Sequence, residues 1–362
     1  MNIAVIGAGP IGGYAAYLFA KNGHAVDMYE EHAQVGCPIQ CTGLLTGDFD
    51  QFSLPMQDYL VNTFSIIKVF SPGQQKATIQ QKEYLVHRTQ FDSFFVDKAL
   101  KAGARLHLQH SFQRKEGKNI ILRNSLKKED VTITPDIVIA ADGPQSKTVK
   151  AFGFYHPQRQ SFLGIQATVK GNFDQQGYQA YFGEKVCPGL FAWVVPESPT
   201  IARVGLGTLK DTKAYFDAFM KEKSYTALEI QAGLIPVYHP QQKVQHENCY
   251  ALGDAASFVK ATTLGGLIPG LKQAEIVVDS IIHKKNLEPE LKPLRRQLRL
   301  HLKMHHVIQK MKDHDWENLF RYINQPRIQR ILEQHTRDNP IPLVLKSLLK
   351  EPRLLYFGKY LF

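Results

Sequence analysis

Long apolar stretches are missing from this sequence. No run of about 18 apolar residues occurs anywhere in its 362 residues, so no helix is long enough to span a bilayer. Cysteine is scarce too. The four, Cys37, Cys41, Cys187 and Cys249, do not make a disulfide framework in a chain of this length. Cys37 and Cys41 lack a second close pair or well-spaced histidines, so no metal site is expected. The fourteen histidines are scattered; His301 and His305, one helical turn apart, read as part of a basic helix surface. No basic stretch precedes an apolar core at the N-terminus, where Met1 and Asn2 lead straight into Ile3. That predicts a cytoplasmic chain without a secretory signal. No repeat, low-complexity run, helix-turn-helix or RNA-binding pattern is visible, so nucleic acid is not an expected partner. Acidic residues run short in one place only. In residues 281–362, 17 Lys and Arg face 8 Asp and Glu, and this stretch carries most of the net charge of +11. A basic region of this kind attracts anionic partners, an anionic membrane surface among them.

What is present begins at residue 3. Ile3-Ala4-Val5-Ile6 is a short apolar run bounded by glycine, as in a buried parallel strand. Gly7-Ala8-Gly9-Pro10-Ile11-Gly12 follows and fits G-x-G-x-x-G. Tyr14 to Asn22 reads as a helix, Gly23 as its stop, and 25–29 as a second strand ending at Glu30. Each residue type has a physical task. Gly7 permits the tight turn, Gly9 lets the backbone approach a pyrophosphate, and Gly12 allows close helix–strand packing. Pro10 opens the helix, whose N–H groups and partial positive charge point at the phosphates. Glu30 stands where an acid hydrogen-bonds the adenosine ribose.

Three later segments turn this dinucleotide reading towards FAD. Leu252-Gly253-Asp254-Ala255-Ala256 follows an apolar strand, so Asp254 can accept from a ribityl or ribose hydroxyl. Gly265-Gly266-Leu267 then opens a helix running to Ile282, and such an N-terminus can face a flavin's pyrimidine edge. A buried strand, 137–141, ends in Asp142-Gly143. Arg88 starts a helix running to about Lys101 and can reach the phosphates or the ring.

Together these motifs resemble the p-hydroxybenzoate-hydroxylase-type flavoproteins, and more closely the geranylgeranyl reductase family among them. Pro188 to Pro196 is similar to that family's P-x-x-Y-x-W-x-F-P; Trp193 and both prolines match, while Phe191 and Val195 replace its Tyr and Phe. Val259 to Leu267 resembles the archaeal V-K-P-T-T-G-G-G-I, with Ala261 and Leu264 departing. Gly36 to Gly43 resembles their segment with a cysteine near the flavin, and Cys41 stands at the matching place. The resemblance spans roughly residues 1–285. It implies an α/β fold: an FAD-binding Rossmann-like domain of the glutathione-reductase type, an antiparallel-sheet substrate domain and a helical C-terminal region.

The expected boundaries are 1–50, 77–150 and 244–285 for the discontinuous FAD-binding domain. The substrate domain takes 51–76 and 151–243, and the basic helical region takes 286–362. Strands are expected at 162–171, 178–182, 190–196 and 201–207, and helices at 295–311, 341–350 and 353–362. The implied activity is FAD-dependent reduction of C=C bonds in a prenyl chain on a lipid or isoprenoid. Phe191, Trp193 and Val195 would wall an apolar tunnel, and Cys41 would be a proton donor or a small packing residue. An FAD-dependent hydroxylase of an aromatic or lipid substrate, and a non-catalytic isoprenoid-lipid binder, stand as alternatives. No second glycine-rich nucleotide motif is visible, so the electron donor is left open between NAD(P)H and ferredoxin. The basic C-terminal region would rest on the inner face of a membrane and present lipid to the tunnel.

Overall fold

Ile3 to Ile6 are all buried because Asn2–Ile6 is an interior strand of a sheet. It pairs in parallel with Ala25–Glu30 on one side and Ile137–Ala140 on the other. In the computed structural model, which describes residues 1–361, this sheet has six strands. Its order is Gln245–His246, Cys249–Ala251, Ile137–Ala140, Asn2–Ile6, Ala25–Glu30 and Arg105–Leu108. Only the edge strand Gln245–His246 runs antiparallel. The parallel strands therefore end on one side, where such sheets place their ligands. Helices Pro10–Lys21 and Arg88–Lys101 pack closely, since a Cβ on Gly13 would lie 3.1 Å from Phe95.

The second sheet has eight strands. The order is Ala227–Pro236, Ser161–Lys170, Ile201–Thr208, Ala192–Pro196, Gly177–Tyr181, Leu60–Phe70, Lys76–Val86 and Leu44–Thr46. It is antiparallel except where Gly177–Tyr181 meets Leu60–Phe70 in parallel. Along Ala192–Pro196 the side chains alternate. Ala192 and Val194 face an apolar cluster shared with the helix Thr212–Glu222, and Trp193 and Val195 face the other side. A smaller sheet joins His110–Glu116, Asn119–Asn124 and Glu129–Ile133.

Two expected boundaries cut through this sheet. Lys76–Val86 pairs with Leu60–Phe70 as a hairpin, so residues 77–86 join the second sheet, not the first. Leu44–Thr46, inside the expected 1–50 segment, pairs with Lys76–Val86 as well. A tight turn at residues 71–75 makes the hairpin partner local, which outweighs any sheet assignment drawn from composition.

The C-terminal region is helical: Leu287–Lys310, Asp313–Ile323, Pro326–Gln334, Pro340–Lys350 and a 3-10 segment, Pro352–Leu361. Pro326 and Pro340 stand at helix starts, where the missing N–H costs nothing. Phe362, included in the expected final helix, lies outside the described residues. Among the described residues no helix is long and apolar enough to cross a membrane.

His301 and His305 are not a surface pair. Both are 2% exposed. They continue the buried stripe of Leu287, Leu291, Leu294 and Leu298 at helical spacing. Burial pushes the His305 imidazole down to about 4 and His301 to about 3, against an ordinary value near 6.5. The unfolded chain therefore binds more protons through this window, and stability falls as pH drops from about 6.5 towards the folded values. His305 alone would lose up to about 2 kcal/mol between pH 7 and pH 5. His305→Leu is expected to flatten the pH dependence of urea unfolding over that range. An unchanged slope would assign the acid sensitivity elsewhere.

Candidate functional site

A cavity of about 820 Å³ lies at the C-terminal ends of the parallel strands and continues along the second sheet. At its first end the loop 7–12 forms a cradle. Gly7 has φ of +98°, and a Cβ there would collide with the Ala141 carbonyl. A Cβ on Gly12 would strike the carbonyl oxygen of Gly7. Gly9 differs: a Cβ on it would meet nothing within 4 Å. Gly9 is the N-cap of Pro10–Lys21, and no side chain caps that helix. Its free N–H groups therefore remain available to an anion.

Glu30 ends its strand with the carboxylate turned back to the cradle. It accepts from Ala8 N at 2.9 Å through one oxygen and lies 2.6 Å from His32 Nδ1 through the other. That second oxygen also accepts from His32 N at 3.1 Å, so the oxygen on Ala8 N is the one that keeps a lone pair for a ribose hydroxyl. Arg88 grips Asp92 with two hydrogen bonds of 3.0 Å and also contacts Cys41. Burial works against the Arg88 charge, and Asp92 with Cys41 more than restores it. Gly43 N donates to Cys41 Sγ at 3.4 Å. Asp142 is committed to its own turn, accepting from Ser146, Thr148 N and the Thr148 hydroxyl. Asp254 is less engaged. Burial lifts its carboxyl to about 6, and a Cβ on Gly266 would lie 3.0 Å from its Oδ1. Gly265, Gly266 and Leu267 open the helix Leu267–Ile282 beside it.

The other end of the cavity is mostly apolar, although Gln81, Tyr178, His335 and Arg337 also line the cavity. Ile67, Val69, Ile79, Ala180, Phe182, Phe191, Trp193 and Val195 line it, with Leu332 and Leu343 from the C-terminal helices. Gly143, Gly253 and Pro10 lie in the same wall as the cradle. Every expected cofactor and tunnel residue thus borders this one space, Cys41 included.

Sequence reasoning missed a charged cluster at the cavity, lined by Lys260 and Arg337 and backed by their partners Asp338 and Glu83. Lys260 pairs with Asp338, whose other oxygen accepts from Thr46 Oγ1 at 2.6 Å. Arg337 clasps Glu83 with two bonds and donates to Tyr178 OH at 3.1 Å. Lys260 lay inside a segment already singled out, but nothing in residues 336–338 marks them as buried.

Leu264, which replaces a glycine of the archaeal segment, has φ of +59°. A leucine there keeps the left-handed turn at a cost of about 1–2 kcal/mol. Its Cδ1 fills the space over Gly207, where a Cβ would lie 2.7 Å away.

A family model for an NAD(P)-binding Rossmann-like domain matches residues 5–57. Digeranylgeranylglycerophospholipid reductase of Methanocaldococcus jannaschii is 29% identical over 352 residues, covering 88% of this chain and 89% of its own. The reductase of the same name from Methanococcus vannielii is 26% identical, with 99% and 98% covered. The chain is a homologue of these reductases. The structure of a geranylgeranyl bacteriochlorophyll reductase-like protein from Thermoplasma acidophilum superposes with a TM-score of 0.82 at 20% identity. That superposition covers 100% of this chain and 99% of the other. This chain therefore shares its fold with that protein across the described residues, including the C-terminal helices.

Proposed function

We propose that the protein is an FAD-dependent reductase of C=C bonds in a prenyl chain carried by a lipid. The observation that carries this is the continuity of the cavity: a glycine cradle for a dinucleotide opens directly into an apolar chamber. The residues fit FAD. Any side chain on Gly7 or Gly12 would disrupt the cradle's own backbone, while Gly9 leaves its space open to the pyrophosphate. Gly7, Gly9, Pro10 and Gly12 would hold the phosphates, Glu30 the adenosine ribose, and Arg88, Asp142, Gly143, Gly253 and Asp254 the central portion. Gly265, Gly266 and Leu267 would meet the ring.

Bound there and first reduced by an external electron donor, FAD would supply the hydride for one alkene carbon. The chain's own contribution is position and dryness. Phe191, Trp193 and Val195 lay the prenyl chain along the wall and exclude water, so the alkene is held rather than found by collision. Cys41, beside Arg88 on the cavity wall, would give a proton to the second carbon. Cys41→Ser should keep FAD and slow reduction at least tenfold; an unchanged rate would leave Cys41 as a packing residue.

The deciding experiment is anaerobic. FAD-loaded protein is reduced with dithionite, freed of excess reductant and mixed with a geranylgeranyl lipid. Return of the oxidised spectrum with lipid but not with buffer supports the reductase. Return only with oxygen, coupled to substrate hydroxylation, favours a hydroxylase. Lipid binding without any flavin uptake would leave a binding protein.

The membrane surface belongs to the same proposal. In Pro340–Lys350, Leu343 borders the cavity, while Leu345 and Leu349 are 57% and 80% exposed. Lys346 and Lys350 flank them, and Leu355, Tyr356 and Leu361 extend the apolar face beside Arg353 and Lys359. Leucines between basic residues suit an anionic bilayer at the inner face of a membrane. Leu345→Glu with Leu349→Glu should weaken sedimentation with phosphatidylglycerol vesicles about tenfold or more. Equal binding would remove this surface from the proposal.

A further inference from the structure

The charged cluster in the cavity wall has no part in the reduction described so far. Lys260, Asp338 and Glu83 are all 5% exposed or less. Burying such ions costs several kcal/mol each, and pairing rarely turns that into a net gain. Apolar side chains would close the same wall at lower cost, so the charges themselves need a reason.

Lys260 occupies a particular place. Residues 260–265 make a tight loop in which Lys260 N donates to Gly265 O at 3.1 Å and Leu264 N donates to Lys260 O at 2.9 Å. The loop folds the side chain back over Gly265. A Cβ there would lie 2.9 Å from Lys260 Cε and 3.2 Å from Nζ. Gly265 and Gly266 start a helix of 16 residues whose first turn borders the cavity. The ammonium therefore stands beside the helix N-terminus, and the two positive fields add. Burial weakens the Lys260 charge, and Asp338 works to keep it. Asp338 is itself fixed by Thr46 Oγ1 and by its own N–H to Thr336 Oγ1 at 3.2 Å.

We propose that Lys260 is the charged partner of the cofactor ring, holding a fixed positive charge where negative charge grows on reduction, and that Asp338 is the positioning residue that limits how much of that charge the ring feels. The inference rests on FAD occupying the cradle with its ring towards Gly265. A preorganised charge of this kind favours the reduced cofactor over the oxidised one without reorganisation.

The test is an anaerobic redox titration of FAD-loaded protein against a reference dye, with flavin content measured first. Lys260→Met is expected to lower the preference for reduced over oxidised FAD about tenfold. For a two-electron couple that is a midpoint shift of about 30 mV. Lys260→Arg should restore most of it. Asp338→Asn keeps one acceptor, for Lys260, turns its amide N–H towards the Thr46 hydroxyl and removes the opposing charge, so it should shift the midpoint the other way. A cluster that only pins residues 336–338 predicts lower melting temperatures in both neutral variants and no opposite shifts. Shifts of the same sign, or of less than twofold, overturn the proposal. Should Lys260→Met lose its cofactor, Asp338→Asn against Lys260→Arg still decides the sign. Failure of the unaltered protein to take up FAD would instead overturn the cofactor reading beneath it.

Discussion

A valine at Gly9 is expected to abolish retention of FAD while leaving the fold intact. Gly9 has φ of −68° and ψ of −179°, ordinary extended backbone that any residue adopts before proline. A Cβ there meets no protein atom within 4 Å, so nothing in the chain has to move. The side chain enters the space where a pyrophosphate would lie against the helix N-terminus. The purified variant should be colourless, with unaltered far-UV circular dichroism and FAD affinity reduced at least about 100-fold. Gly12→Val makes the contrast. Its Cβ strikes the Gly7 carbonyl and would lie 3.1 Å from Ala141 Cβ, so this variant should lose the fold as well as the cofactor. FAD binding by Gly9→Val at the original affinity would move the cofactor away from the cradle.

Glu83→Ala should be the most destabilising single change in the charged cluster. Glu83 is 0% exposed and holds Arg337 by two bonds. Removing it strands a guanidinium that is mostly buried, which costs about 3–5 kcal/mol. The lower part of that range applies, because the Arg337 side chain keeps 22% of its exposure and water can partly solvate it. Replacing both partners, Glu83→Met with Arg337→Met, should recover much of the loss. Equilibrium urea unfolding of the two variants and the double variant reads the coupling directly. A double variant as unstable as Glu83→Ala would show that packing, not charge pairing, holds residues 335–338 to the sheet.

Local patterns told most about the nucleotide end. Ile3 to Ile6 and the glycines after them define strand, cradle and helix within one stretch of chain. The start of Arg88–Lys101 was likewise legible, because a run such as Arg-Thr-Gln-Phe-Asp carries both polarity and the first apolar turn. Pairings between distant segments were not legible. Leu60–Phe70 meets Gly177–Tyr181 in parallel, and no signal in either strand names the other. Arg337 and Asp338 carry no local mark within the basic tail, because their partners Glu83 and Lys260 lie far away in sequence. The two histidines of the long helix were misjudged for a different reason. Their spacing continues the leucine stripe, but residue type was weighed above period.

Leu264 and Gly207 also bear on how this sequence can change over generations. The loop that carries Gly265 and Gly266 rests a leucine on a bare stretch of the second sheet. A side chain at 207 would push the tip of Leu264 aside, and a glycine at 264 would leave the hollow unfilled. A change at one site is felt at the other. They should exchange as a couple, leucine with glycine or glycine with a larger neighbour, so that the edge of a nucleotide-binding fold inherits its shape from the sheet built for another molecule.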